Sequence, residues 1–202
     1  MSLTLFRTYL CLNKGLQRIL YNHIDYYRLD LFTFFSKIKE LSYITLKTDT
    51  PYMVNGFPLD YPIGRDIDLI VTKKDFNSLV ENVICFAHSH HGFKIKEISE
   101  EQGFQLRFEF GEVLHYLIHV SYGIAGLSSM LIEQSIESRQ KVENYYIPEL
   151  RYEIVYRLVD YHKQPHKIYH LQYVKKHVDS MDWSLFKHTD IKNYINDLLL
   201  KA

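Results

Sequence analysis

The sequence predicts an α+β fold: a small mixed sheet flanked by helices, with an N-terminal helix before it and a helical region after it. Three observations predict this. Apolar residues recur at helical spacing up to residue 42, switch to strand-like periods between 43 and 123, and return to helical spacing beyond Gly123. Residues 1–42 therefore read as an N-terminal helical segment packing on the core, 43–123 as the α/β core, and 124–202 as a C-terminal helical region.

The first segment carries Leu16, Ile19, Leu20, Ile24, Tyr27, Leu31, Phe34, Phe35 and Ile38 on one stripe, with Lys37, Lys39 and Glu40 off it. Asp30 is a candidate cap for a second helix within it. Short strands are expected over 43–47 and 52–55, and a longer one over 66–71, where Asp-Ile-Asp-Leu-Ile-Val ends in an apolar run. Thr72 and Asp75 form a capping-box-like start to a helix through Phe76, Leu79, Val80, Val83, Ile84 and Ala87, stopped by Gly92. Three strands should follow, over 93–98, 104–110 and 114–121. Phe104, Leu106, Phe108 and Phe110 alternate with Gln105, Arg107 and Glu109, which is period two. Pro148 reads as a first-turn proline for a helix through Leu150, Ile154, Leu158 and Tyr161. Pro165 separates it from one through Ile168, Leu171, Val174 and Val178. Thr189 or Asp190 caps a last segment through Leu199.

Composition narrows the function classes. Lys and Arg number 24, as do Asp and Glu, so the formal charge is zero and an extended duplex-binding face is not expected. Aromatic residues reach 15%, with seventeen Tyr and twelve Phe, which points to aromatic packing and tyrosine-lined grooves. Two cysteines, Cys11 and Cys85, make no disulfide framework, so a reducing cytoplasm is the expected compartment. No signal peptide and no bilayer-length apolar run is expected. P-loop, dinucleotide-binding, zinc-ribbon and serine-elbow motifs do not occur.

Chemistry concentrates in Gly64-Arg65-Asp66-Ile67-Asp68-Leu69-Ile70-Val71. On a strand, residues i and i+2 share a face, so Asp66 and Asp68 project together while Ile67 and Leu69 enter the core. Two neighbouring carboxylates repel unless a cation sits between them, and Mg²⁺, or Mn²⁺ in its place, suits carboxylate and phosphate oxygens. The competing reading is a solvated strand end bearing two surface aspartates. Other clusters favour structural readings. His88, His90 and His91 fall at a helix C-terminus, where cationic rings complement the dipole. His115 shares a strand face with His119, and the lysines at 163, 167, 175 and 176 suit a solvated helix face.

The stretch from Asn55-Gly56 through Ile63-Gly64 and the acid-x-acid strand resembles the nucleotidyltransferase superfamily, the DNA polymerase β-like fold. Within it, the chain looks most like small nucleotidyltransferase-like proteins of surface-polysaccharide gene clusters. The resemblance covers roughly residues 43–122. It implies that Asp66 and Asp68 are metal ligands in catalysis, that Gly56 lets backbone approach a triphosphate, and that Lys47, Arg65 and Lys163 are candidate nucleotide-binding cations. The family pattern places Gly or Ser where Phe57 stands, and a third carboxylate where His119 stands. Glu109 is a candidate substitute for that carboxylate, against a plainer role as cross-strand partner of Arg107 or a lysine. The implied activity is transfer of a nucleotidyl group from an NTP–Mg²⁺ complex to a small acceptor. Phe57 and His119 support a second reading, a catalytically inactive binding or regulatory protein on the same fold. A third, a sugar-nucleotide glycosyltransferase using the two aspartates, is disfavoured by the absence of βαβ units ahead of them.

Overall fold

A computed structural model describes residues 29–48, 57–59, 61, 65–90, 93–110 and 113–177. The chain is α+β, with a five-stranded mixed sheet, a separate hairpin and five helices among the described residues. In chain order these are α1 (Leu31–Ile38), β1 (Tyr43–Leu46), β2 (Arg65–Val71), α2 (Phe76–His88), β3 (Lys94–Glu100), β4 (Gly103–Phe110), β5 (Val113–Ser121), α3 (Ser129–Glu137), β6 (Gln140–Val142), β7 (Tyr145–Ile147), α4 (Leu150–Lys163) and α5 (Ile168–His177).

The sheet runs β1-β2-β5-β4-β3. Only β2 and β5 are parallel, and their register sets Asp66 opposite Leu117 and Asp68 opposite His119. At the far edge, β3 exposes Lys94, Lys96, Glu97 and Glu100, and such charges discourage edge-to-edge pairing.

Alternation along the strands gives the sheet two different faces. Ile67, Leu69 and Val71 of β2, Leu106 and Phe108 of β4, and Ile118 and Val120 of β5 join Phe34, Phe35, Leu79 and Val83 of α1 and α2 in one large core. The apolar stripe of α1 is Leu31, Phe34, Phe35 and Ile38, the i, i+3, i+4, i+7 pattern, and the Asp30 side chain caps it by accepting from the Thr33 N–H at 3.0 Å. On the opposite face, Ile44 and Leu46 of β1 and Ile70 of β2 pack with α3 and α4 through Leu131, Ile132, Val155 and Tyr156. Helix α4 is buried from Tyr152 to Val159, because α5 covers its outer side through Val174. Among the described residues no helix is long and apolar enough to cross a membrane.

Several expectations are corrected. The region beyond Gly123 is not helical throughout: β6 and β7 form a hairpin, turned at Glu143 with φ of 51°. Its strands are three residues each, too short to show a period. Tyr145 of β7 packs against Phe35, tilted, and Phe57, edge-on. Pro148 lies ahead of α4, whose N-cap is Glu149. Asp75 is the N-cap of α2 rather than a first-turn residue. Its N–H meets the Thr72 hydroxyl, while its carboxylate accepts from the Ser42 N–H at 2.9 Å, tying the start of α2 to β1. The expected helix before Leu29, the strand over 52–55, Gly92, Val178 and the segment over 189–199 lie outside the described residues.

Candidate functional site

The face of the sheet that packs on α3 and α4 changes character between Ile70 and Asp68. One step along β2 the apolar contact with α3 and α4 stops, and a cleft of about 390 Å³ opens. Its walls carry Lys47, Asp68, Glu100, His119, Asp160 and Lys163. These come from five places in the chain: the end of β1, the middle of β2, the β3–β4 turn, β5 and the last turns of α4.

Asp68 is the centre of the charge network. Lys47 Nζ lies 2.5 Å from Asp68 Oδ2 and 2.8 Å from Asp160 Oδ2. His119 Nδ1 stands 3.6 Å from Asp68 Oδ1 on the other side. The second ring nitrogen of His119, Nε2, is 3.0 Å from Glu100 Oε2 and 3.1 Å from the Ser121 hydroxyl. Burial by itself would raise the Asp68 carboxyl. Lys47 and the contact from His119 outweigh it and hold Asp68 ionised, well below the ordinary carboxylate range. Burial would likewise lower Lys47, but Asp68 and Asp160 keep the ammonium charged and push it up. The hydrogen bond to Asp68, opposed by burial and reinforced by Glu100, raises His119 above the usual imidazole value.

Asp66 shares the face of Asp68 but is exposed and does not line the cleft. Its charge is felt by Tyr169 of α5: burial raises that phenol, Lys47 opposes, and Asp66 and Asp160 add to the rise. Of the two aspartates, Asp68 stands at the cleft wall and Asp66 lies outside it, near enough to α5 to influence Tyr169.

The other sequence candidates fall in different places. Lys163 lines the cleft. Arg65 begins β2 opposite Tyr116, and Gly56 lies outside the described residues. Glu109 is not brought to the site. It pairs with Leu114, far down β5 from His119, and its carboxylate receives Lys96 Nζ at 3.3 Å, the cross-strand role that was the plainer of its two readings. Phe57 does not line the cleft. It meets Phe35, Tyr61 and Tyr145 at ring distances of 5.9, 6.0 and 5.1 Å, inside the core on the opposite side of the sheet. His88 faces Glu97 at 3.5 Å, and His115 is buried beside Phe93.

Sequence reasoning missed Glu100, Ser121, Glu153, Arg157 and Asp160. The last three lie on α4, and their spacing was a usable signal: Glu153 and Arg157 are an i, i+4 acid–base pair, and Asp160 returns two turns after Glu153 to the same side. Glu100 and Ser121 had none, since only the fold brings the β3–β4 turn and the end of β5 to one ring.

The donor chemistry bears on Mg²⁺. Carboxylate oxygens are the right type, but no group of three His, Cys, Asp or Glu able to hold a metal occurs among the described residues. Lys47 and His119 already engage both oxygens of Asp68. Asp66 and Asp68 fit the ion only in the way Mg²⁺ is commonly held, by one or two carboxylates with phosphate and water completing its shell. Compared with protein-family models and with curated proteins, the sequence matches none.

Proposed function

We propose that the cleft binds a nucleoside triphosphate with Mg²⁺, and that the protein is a nucleotidyltransferase-fold enzyme passing a nucleotidyl group to a small acceptor. One observation carries the reading: a strand carboxylate, Asp68, kept ionised at a cleft wall that it shares with Lys47, His119 and Lys163. Asp66 and Asp68 would hold the ion. When bound, Mg²⁺ supplies charge neutralisation along the phosphate chain. Lys47 stands in for that positive charge beside Asp68 until the ligand arrives, then turns to a phosphate oxygen. Lys163, at the end of α4, meets the chain from the opposite wall. In the transfer, an acceptor oxygen bonds to the α-phosphorus as the bond to pyrophosphate breaks. Room for an acceptor exists in a second cleft of about 370 Å³, which meets the first at Gln102 and Gly123.

A specific observation favours the second reading, an inactive binding or regulatory protein. Asp68 is already paired by Lys47 and His119, and an imidazole is a poor ligand for Mg²⁺ where the family pattern has a carboxylate. Calorimetry of ATP with and without Mg²⁺, repeated on Asp68→Asn, separates the readings when combined with pyrophosphate release from labelled ATP. Mg²⁺-dependent binding lost in Asp68→Asn, together with released pyrophosphate, supports the enzyme. Binding indifferent to Mg²⁺, with no pyrophosphate, supports the binding protein. No binding in either condition overturns both.

A further inference from the structure

Lys47 has a backbone that its residue type disfavours. Its φ is 61°, the left-handed region in which an L side chain with a Cβ is strained. Such a conformation persists only where neighbours impose it, and here they are visible. The Lys47 N–H donates to Glu153 Oε1 at 3.2 Å, while its Nζ donates to Asp160 Oδ2 at 2.8 Å. Both carboxylates belong to α4, two turns apart, so one helix grips this lysine at its backbone and at its ammonium.

Glu153 is itself fixed. The same Oε1 receives Arg157 Nε at 2.6 Å, and this pair is inside the protein, Arg157 at 1% and Glu153 at 7% exposure. The Arg157 guanidinium lies 4.4 Å from the Tyr173 ring centre of α5. A pair this deeply buried is a poor way to gain stability, because desolvation offsets most of the attraction. The second hydrogen bond accepted by Glu153 gives it a different use.

From this geometry we infer that Glu153 is a positioning residue for the cleft: with Arg157 holding it, it imposes the left-handed turn that sends the Lys47 ammonium to Asp68 and Asp160. The helical region is then part of the site rather than a covering for the sheet, with Tyr173 of α5 steadying the far end of the chain of contacts. The inference rests on the cleft being a binding site, but it is tested without nucleotide, so its failure and a failure to bind ATP are distinct results.

Two measurements decide it. Lys47→Gly and Lys47→Ala both remove the ammonium, and only alanine keeps the strain of a Cβ at positive φ. The glycine variant is expected to melt measurably higher than the alanine variant. Equal melting temperatures overturn an imposed left-handed turn. The second follows the Lys47 Cα shift and HN–Hα coupling by NMR, which report its backbone conformation directly. Glu153→Gln keeps an oxygen for the Lys47 N–H but loses the ion pair with Arg157. Glu153→Met combined with Arg157→Leu removes both charges, a replacement that buried pairs commonly tolerate. The double variant is expected to move the Lys47 signals out of the left-handed range, and Glu153→Gln to move them less. Left-handed signals unchanged in whichever variant retains native NMR dispersion make Glu153 a structural residue only, and overturn the inference.

Discussion

The two faces of the sheet are built from the same strands and do opposite things with charge. Facing α1 and α2, Ile67, Leu69 and Val71 of β2 join a ring-rich core in which Phe34, Phe35, Phe86, Phe108 and Tyr116 meet one another edge-on or tilted. Facing α3 and α4, Ile70 is apolar but Asp68, one step away on the same face, is ionised and flanked by Lys47 and His119. The contrast shows where the sequence departs from what packing alone requires. A half-buried carboxylate between a lysine and a histidine is costly to maintain unless each charge has a partner, and here each one does.

Breaking the dry face should have the largest effect. Phe108→Ala removes a fully buried ring and should cost about 3–5 kcal/mol in a denaturant titration, with Leu69→Ala at about 2–5 kcal/mol. If either loses no more than a surface substitution does, the two faces are not as different as described. A smaller effect is expected on the α3–α4 side. Tyr156→Phe deletes the 2.6 Å contact with the Ser135 hydroxyl, which keeps its bond to the Ile132 carbonyl, so the loss should be about 1 kcal/mol.

Two histidines sharpen the comparison through pH. His170, on α5 and 1% exposed, is held neutral, with burial pushing it down to about 4. Its folded value lies below its unfolded one, so its contribution is complete above about pH 6.5 and is lost as pH falls toward 4. Replacing it with Leu should flatten the fall of melting temperature across that window. His119 has the opposite sign. Its folded value is raised, so its contribution is complete below about pH 6.5 and is lost as pH rises through the folded value. His119→Gln should remove that alkaline loss while leaving the acid limb to Asp68. That carboxyl, depressed in the fold, contributes above about pH 3.9, and the contribution is lost as pH falls through the folded value. Superimposable melting profiles for the wild type and both histidine variants would contradict these assignments. The smallest effect belongs to the exposed Lys39–Glu40 pair, where Glu40→Gln should change stability by less than about 0.5 kcal/mol.

Much of this architecture was legible before any coordinates. Strand β2 announced itself by an apolar run led by two acids, β4 by strict alternation, and α1 by its stripe and its Asp30 cap, because each follows from local periodicity. The hairpin β6–β7 was not legible, since strands this short are stabilised by what they lie against rather than by pattern. The site divides the same way. Asp68 was read from residue type and spacing, Lys47, His119 and Lys163 from the family resemblance, and the fold gathers the four at one cleft. Glu109 took the plainer of its two readings, because position along a strand does not say which end of the sheet a side chain reaches. That Lys47 is turned by an acid on α4 depends on a long-range contact with no local signature.

The central proposal is that Asp68, Lys47 and His119 form a ligand-binding centre rather than a self-satisfied knot of charge. Its most direct test follows the His119 ring protons by NMR while Mg²⁺ and ATP are added together. Saturable movement of those signals in the wild type, abolished in Asp68→Asn, is the expected result. Signals that stay fixed at His119 while the protein remains folded would contradict it.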